Sequence, residues 1–358
     1  MPNTVKQRVL PPVRRALITT ALEALRVVQL SGLGAGSRGH GAIFMLHLVR
    51  PEDKRAFRPN AHLEITPEFL DLAIRQLTSD GFEFVAIDEV PERLARTPGD
   101  RPFAAFTLDD GYANNLHHAA PVFARHAVPF TVYVTAGFVE ATHTMWWETL
   151  AELLHQVETL EIDLGHGPVE LAARNVAEKL AAFDRIAEMI TGGGDERLAV
   201  ARLDAAAMQN GVDPLGLTRQ LTMRPDELTE LARLPLASLG AHTISHRNLC
   251  LLSDEELDRE LAVSSALVRD LTGRRATSFA YPYGNPRTVS AREARAVERH
   301  GFSLGVTTRS ATLTPDRNRR LSLLPRISLN GYYQKARYAS VLASGLPFVL
   351  SRPRGGDF

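Results

Sequence analysis

The sequence has little cysteine, no excess of either charge and no long apolar run. Cys250 is the single cysteine among 358 residues, so an internal disulfide framework is excluded. Lysine plus arginine number 41, as do aspartate plus glutamate, and this balance creates no overall field that would draw the chain to nucleic acid or to an anionic membrane. With 44% hydrophobic residues, the chain can bury a sizeable core. These features predict a globular protein whose ligand is neutral or only locally charged.

The first forty residues are expected to form a helix and a linker, residues 1–40. The segment Val13 to Leu30 is not a continuous apolar run, because it contains four charged residues, Arg14, Arg15, Glu23 and Arg26. A membrane span and a signal peptide are therefore not expected, and the expected location is cytoplasmic. Apolar residues recur at helical spacing at Leu17, Ala21, Leu25 and Val28. We expect this helix to pack on the domain, although contact with a partner or peripheral contact with a membrane fits the same pattern.

Residues 41–345 alternate between short apolar strands and helices, a pattern typical of parallel strands covered by helices on their outer face. Seven or eight such units predict a (β/α) barrel, with an open doubly wound sheet as the alternative. Residues 145–233 interrupt the alternation with mainly helical sequence and are interpreted as an insertion. Residues 346–358 are expected to form a C-terminal tail.

Two adjacent carboxylates, Asp109 and Asp110, follow the apolar segment Phe103 to Leu108. Burying two like charges side by side is costly unless something compensates, and a divalent cation is the usual compensation. An Asp-Asp-Gly sequence after a strand also suits a simple turn, with Gly111 supplying the permissive backbone. The pair alone therefore leaves a cation site and a turn as alternatives.

A second motif favours the cation. His242 and His246 also follow a short apolar segment, and two imidazoles four residues apart can face one ion if the chain turns helically. One aspartate with two histidines is a ligand set that suits zinc and its neighbours, and it leaves positions open for catalysis. Cys250 lies four residues further on as a possible third ligand, but a lone cysteine among leucines is more typical of a small buried apolar residue.

At this point the chain resembles the polysaccharide deacetylases, carbohydrate esterase family four. The family motif Thr-Phe-Asp-Asp-Gly is matched by residues 107–111, with Leu108 in place of phenylalanine, and the motif His-Ser/Thr-x-x-His is matched in full by residues 242–246. The resemblance implies a distorted (β/α)7 barrel, here with a mainly helical insertion. It also implies a hydrolase that removes N-acetyl, or alternatively O-acetyl, groups from an acetylated oligo- or polysaccharide containing aminosugars.

The resemblance further implies the role of each site residue. Asp110, His242 and His246 would hold a divalent metal, with zinc expected and cobalt and nickel able to use the same ligands. Asp109 would be the general base that takes a proton from water. The family motif Arg-x-Pro-Tyr falls on residues 280–283, so the backbone N–H of Tyr283 would donate to the tetrahedral oxyanion.

The chain departs from the family pattern at two places. Ala280 stands where the family has the arginine that orients the base, and Arg326, expected on the last strand, is the candidate replacement. The family's C-terminal Leu-x-x-His is absent, since no histidine follows His300. Some family members are circularly permuted and supply this histidine from the first strand. His47 ends the first strand here, and it would protonate the departing amine.

Two other functions remain open from the sequence. A metal-dependent hydrolase of the same fold could act on a cyclic amide or imide, and a catalytically silent barrel could only bind carbohydrate. Asp109 argues against the silent alternative, because a mere binding protein gains nothing from a second acid beside a metal ligand. Trp146 and Trp147 open the insertion, and at most one of these adjacent side chains is expected to stack on a sugar.

Overall fold

The structure is a computed structural model that describes residues 12–32, 34–96, 101–165, 167–316 and 318–350. Its strands are β1 (Gly41–Leu46), β2 (Leu48–Val49), β3 (Glu64–Ile65), β4 (Glu83–Phe84), β5 (Phe103–Leu108), β6 (Phe130–Val134), β7 (Thr159–Asp163), β8 (Pro168–Ala172), β9 (Ala237–Ala241), β10 (Ser278–Ala280), β11 (Leu304–Val306) and β12 (Ile327–Ser328).

Its helices are α1 (Pro12–Leu30), α2 (Pro67–Ser79), α3 (Val90–Ala95), α4 (Ala120–Arg125), α5 (Ala136–Val139), α6 (Trp146–Gln156), α7 (Val176–Thr191), α8 (Glu196–Gln209), α9 (Pro214–Leu221), α10 (Pro225–Ala232), α11 (Asp254–Thr272), α12 (Ala291–Arg299), α13 (Ala336–Ala343) and α14 (Leu346–Leu350).

The main sheet is parallel and curls on itself. Its strand order is β11-β10-β9-β6-β5-β1-β12, and β4 pairs with the amino end of β5. A parallel bridge between Val306 of β11 and Leu324, just before β12, brings the two ends of this order together. Strands β1, β5 and β6 are buried along their whole length, as continuous apolar runs covered by helices should be. The distorted (β/α) barrel is therefore confirmed, and the open sheet is not what forms.

Local capping explains where several helices begin. The Thr66 hydroxyl accepts a hydrogen bond from the Phe69 N–H, and proline follows at the first helical position of α2. Ser253 and Ser290 each pair with a glutamate three residues later in a capping box, and these boxes begin α11 and α12. These helices lie against the outer face of the sheet and place the ends of the strands.

The helical segment between β6 and β9 packs in an apolar core that also includes Leu48, Phe57 and Tyr112 from the barrel part of the chain. Helices α6 to α8 and the antiparallel hairpin of β7 and β8 enclose it, with Phe183 and Ile186 among its buried residues. Both tryptophans that open this segment are buried in that core. The segment is therefore joined to the barrel by shared packing, and the domain boundaries assigned from the sequence stay a prediction.

Helix α1 forms and packs on the domain, but mostly through residues other than the predicted apolar repeat. Leu22, with Ile18 and Leu25 beside it, packs against Tyr338 and Val341 of α13. The other three residues of the expected stripe point outward, and they are Leu17 (66% exposed), Ala21 (exposed) and Val28 (36% exposed). The expectation that this helix packs on the domain is therefore confirmed, although Leu25 is the one member of the apolar repeat that takes part. None of the helices in the described part of the chain combines the length and apolar character needed to span a bilayer.

Candidate metal-binding active site

Most of the predicted site residues lie at the carboxyl ends of the parallel strands, which is where the active sites of barrel enzymes are found. These residues are His47 after β1, Asp109 and Asp110 after β5, His242 after β9 and Tyr283 beyond β10. Arg326 is the exception, because it precedes β12 and reaches the same edge through its long side chain. Parallel strand order therefore brings distant segments of the sequence into one pocket.

Asp110, His242 and His246 form a buried cluster whose ligand atoms all lie within 4.8 Å of one another. Oδ1 of Asp110 is 3.4 Å from Nε2 of His242 and 3.5 Å from Nε2 of His246. That oxygen is buried and has no hydrogen-bond partner among the described residues. An orphaned carboxylate oxygen facing two imidazole nitrogens is a donor set that fits a divalent cation.

The two histidines are held differently. His242 donates from Nδ1 to the Ala280 carbonyl over 2.7 Å, which leaves Nε2 with its lone pair toward Asp110. Burial lowers the pKa of His246 to about 4, so its imidazole is neutral, as a metal ligand must be. Ala280, which stands in place of the motif arginine, therefore contributes to the site through its backbone carbonyl oxygen.

Backbone strain is concentrated at this cluster. Asp110, Thr243, His246 and Tyr283 all have positive φ, between 53° and 73°, although none is glycine. In the described residues, only two other non-glycine positions share this conformation. Such residues persist only where the surroundings hold them, so the fold enforces the site geometry at a conformational cost.

Glu260 of α11 is a buried residue that the sequence did not reveal as part of the site. Its carboxylate accepts hydrogen bonds from the backbone N–H groups of Ile244 and Ser245 and from the Ser245 hydroxyl. These contacts fix the loop between the two histidines. In the sequence, Glu260 has the spacing of an ordinary helix residue, so no signal distinguished it.

Arg326 is fully buried and binds Asp109 with two parallel hydrogen bonds. Nη1 to Oδ1 and Nη2 to Oδ2 are both 2.6 Å. The guanidinium also donates to the Thr107 hydroxyl and the Thr307 carbonyl, so its donors face protein oxygens. Burial alone would raise the pKa of Asp109, but Arg326 outweighs burial and the pKa falls to about 2. The structure therefore pairs Arg326 with Asp109, while its role in place of the motif arginine stays a prediction.

His47 lines the same pocket, with Nε2 4.0 Å from Oδ2 of Asp109. Asn115 donates to the His47 carbonyl over 2.7 Å and pins its backbone. Burial lowers the pKa of His47, against the opposing effect of Asp110 and Asp109. The first strand thus delivers a histidine beside the carboxylate pair.

Two residues of the helical insertion hold the Tyr283 side chain in place by hydrogen bonds to its hydroxyl group. Its hydroxyl donates to Glu196 of α8 over 2.6 Å and accepts from Nε1 of Trp146 over 3.0 Å. The neighbouring Trp147 donates to the Tyr112 hydroxyl over 2.9 Å and borders the pocket. The tryptophans therefore pack and position tyrosines, and only Trp147 is placed to meet a ligand. Cys250 takes no part in the cluster, since its thiol donates to Glu293 instead.

The pocket has a volume of about 360 Å³. Residues of its mouth that the sequence did not indicate are Arg14 of α1, His62, Leu63, Asn330 and Tyr332. Burial lowers the pKa of His62 to about 4, with the nearby His47 adding to the effect. A pocket of this size with converging polar groups is typical of a small-ligand site.

Comparison with known proteins agrees with this geometry. Residues 205–304 match the family model "Polysaccharide deacetylase", a segment that includes His242, His246 and Tyr283. The two aspartates lie outside that segment. No curated protein matches the chain.

Solved structures share the fold at low sequence identity. Deacetylase PplD of Streptococcus pyogenes, in complex with acetate, is 16% identical, with a TM-score of 0.53 over 81% of this chain and 92% of that one. IcaB from Ammonifex degensii is 18% identical, with a TM-score of 0.52 over 84% and 97%. A de-N-acetylase from Aggregatibacter actinomycetemcomitans is 12% identical, with a TM-score of 0.51 over 84% and 98%. The chain is thus similar to the polysaccharide deacetylase family over residues 205–304, and it shares the fold of these solved structures.

Proposed function

We propose that this protein removes N-acetyl groups from an aminosugar within an acetylated oligo- or polysaccharide and that it needs a divalent metal to do so. One observation carries the proposal. Asp109, fixed by Arg326, stands beside the buried cluster of Asp110, His242 and His246 without belonging to it. A base next to a cation site, both at the mouth of a barrel, is the arrangement that amide hydrolysis requires.

The donor set supports the metal. Asp110 would contribute Oδ1, and His242 and His246 would each contribute Nε2, because these are the atoms that face one another. One carboxylate and two neutral imidazoles suit zinc, while cobalt and nickel accept the same ligands. When bound, such a cation supplies Lewis acidity, which acidifies water and polarises the acetamide carbonyl.

Asp109 is proposed as the general base. The two hydrogen bonds from Arg326 keep its carboxylate ionised at neutral pH and fix its plane. Because the pair lies in a dry interior, the carboxylate cannot rotate away from the pocket without leaving a buried cation unpaired. Arg326 is therefore a positioning residue that sets where the proton is accepted.

His47 is proposed as the acid that protonates the leaving amine. It borders the pocket close to Asp109 but outside the cluster of metal-facing atoms. The departing nitrogen needs a proton to become a good leaving group, and an imidazole is suited to give it near neutral pH. The backbone N–H of Tyr283 is proposed to donate to the oxyanion.

The test is acetate release from chitooligosaccharides and acetylated polymers, with and without a chelator. Asp109→Asn should abolish turnover while the protein keeps its metal, whereas His242→Ala should lose both. A cyclic imide is included as a further substrate. If no acetylated sugar reacts, while an imide reacts or a sugar only binds, the deacetylase proposal is wrong.

A further inference from the structure

A second cavity lies beside the pocket that holds the metal-facing cluster. We call the first the side pocket and the second the catalytic pocket. The side pocket has a volume of about 540 Å³, and its lining comes from three segments, residues 50–64, 148–156 and 211–221. Polar side chains form more than half of this lining. The volume is within the range of small-ligand sites, and the polar lining suits a polar ligand.

The two pockets share a wall. Asn60 and Glu64 border the side pocket, whereas His62, between them in the sequence, borders the catalytic pocket. On α6, Trp147 borders the catalytic pocket and the adjacent Glu148 borders the side pocket. Asn60 donates from Nδ2 to the Trp147 carbonyl over 3.2 Å, which ties the two segments of the wall together. A ligand in the side pocket therefore lies next to the site of the proposed reaction.

Almost all charges that line the side pocket are paired. Its three arginines each lie within 4.0 Å of a carboxylate, and the pairs are Arg50 with Glu64, Arg55 with Asp53 and Arg58 with Glu52. Two further acids of the lining are paired as well, Glu152 with Arg55 and Asp213 with Arg219. Glu148 is the exception. Within the described part of the chain, it forms no salt bridge with an arginine, lysine or histidine.

Glu148 and Glu64 place two carboxylates near one guanidinium. Arg50 is engaged by Glu64, with Nη2 at 2.8 Å and Nε at 3.3 Å from its two oxygens. Burial raises the pKa of Glu148 to about 7, and the nearby Glu64 adds to the effect while Arg50 opposes it. The Tyr112 hydroxyl donates to Glu148 over 3.1 Å but carries no charge. A cationic ligand would supply the counter-ion that Glu148 lacks among the described residues.

We propose that the side pocket binds an aminosugar unit that has already lost its acetyl group, with the protonated amine on Glu148. This inference rests on the proposed deacetylation, which produces such an amine in the adjacent catalytic pocket. An ammonium group donates charge-assisted hydrogen bonds to a carboxylate and favours its ionised form. The amide groups of Asn60 and Gln156, which border the same cavity, suit the hydroxyl groups of a sugar. An N-acetylated unit is uncharged and gains no pairing with Glu148.

The experiment is calorimetric titration of the full chain with a glucosamine tetramer and, for comparison, with the N-acetylglucosamine tetramer. Glu148→Gln keeps an oxygen that accepts from Tyr112 but removes the charge. Its affinity for the glucosamine tetramer should fall about tenfold or more relative to its affinity for the acetylated tetramer, as expected for loss of a hydrogen bond to a charged group.

Glu188→Gln, on α7, is the matched control. Glu188 also forms no salt bridge among the described residues, but it borders neither pocket. The control removes the same charge from the protein as a whole, so it should bind both tetramers like the unchanged protein.

Gln220→Lys keeps the test decisive if Glu148→Gln fails to fold. Gln220 is an exposed residue that borders the side pocket, so a lysine there adds a positive charge without disturbing a packed side chain. The added charge repels an amine, and the glucosamine tetramer should bind more weakly to this variant.

Acetate release identifies the source of the amine. If the amine belongs to the chain that is being deacetylated, a tetramer with one free amine should have a lower KM than the fully acetylated tetramer, and Glu148→Gln should remove that difference. If it belongs to a separate product chain, added glucosamine tetramer should change the rate in the unchanged protein but not in Glu148→Gln.

Three results overturn the inference: no binding of the glucosamine tetramer, a loss in Glu148→Gln that is no larger than in Glu188→Gln or that is equal for both tetramers, or equally tight binding of a lysine tripeptide through Glu148. The glucosamine tetramer has no acetyl group, so its binding is measured whether or not the protein hydrolyses anything. Acetate release without this binding refutes the side-pocket inference alone. Binding through Glu148 without acetate release from any sugar refutes the proposed reaction instead.

Discussion

Replacing Arg326 by methionine tests the ion pair with Asp109 most directly. Arg326 is fully buried, and its methionine replacement fills similar space without a charge. The change leaves the Asp109 carboxylate buried and unpaired and removes donors to Thr107 and Thr307. Breaking a buried pair by removing one partner costs about 3–5 kcal/mol. We expect the free energy of unfolding at neutral pH to fall by that amount.

A surface arginine that also binds a carboxylate through two hydrogen bonds is the control. Arg320 binds Glu298 through two hydrogen bonds, at 2.8 and 3.2 Å, but both side chains are partly exposed. Arg320→Met should therefore cost only about 0–1 kcal/mol. Urea denaturation followed by circular dichroism measures both variants under the same conditions.

The double variant decides whether the buried charge is the cause. Arg326→Met combined with Asp109→Asn removes both charges, so it should be more stable than Arg326→Met alone by about 2 kcal/mol or more. If the double variant is no more stable than the single one, the loss comes from packing around Arg326, and the reasoning from an unpaired carboxylate is refuted. The single variant should also lose most of its kcat while keeping its metal, because only the base is displaced.

Three further predictions follow from contacts in and near the site. Glu260→Gln should weaken metal binding about 10–100-fold without removing a ligand, because the loop carrying His246 loses its anchor; competition with a chromogenic chelator measures this. His47→Gln should lower kcat about 100-fold or more with little change in metal content, and a variant that keeps full rate removes His47 from the mechanism. Burial and the nearby Glu64 raise the pKa of Glu148 to about 7, so its contribution to stability is present below pH 4.5 and lost as pH rises through 7. Relative to Glu148→Gln, the unchanged protein should therefore lose on the order of 2 kcal/mol between pH 4.5 and 8, and parallel pH profiles of the two proteins would contradict this.

Residues close together in the sequence were predictable because their function depends on local spacing. Two carboxylates after a buried strand, and two imidazoles four residues apart, already indicate a shared cation before any fold is known. The structure brings Asp110, His242 and His246 together. Arg326 was reached only indirectly, through the alanine that replaces the motif arginine. Its bidentate contact with Asp109 spans 217 residues of sequence.

Other site residues had no local signal. Glu260 looks like any acid on an amphipathic helix, and only its burial under the histidine loop gives it a role. Glu196 of the insertion and Arg14 of α1 reach the pocket because separate segments fold against the barrel. Which face of α1 is buried also depends on its contact with helix α13. The periodicity of the α1 sequence carries no information about that contact.

The sequence by itself determined the alternation of strands and helices, the helix caps and the chemical identity of the metal-facing side chains, because these depend on neighbouring residues. Only the tertiary structure decided which arginine meets Asp109, which acid supports the histidine loop and which face of α1 stays exposed. Those outcomes depend on burial and on contacts between segments far apart in the chain, where a charge is paired or a face is covered only after the barrel has closed.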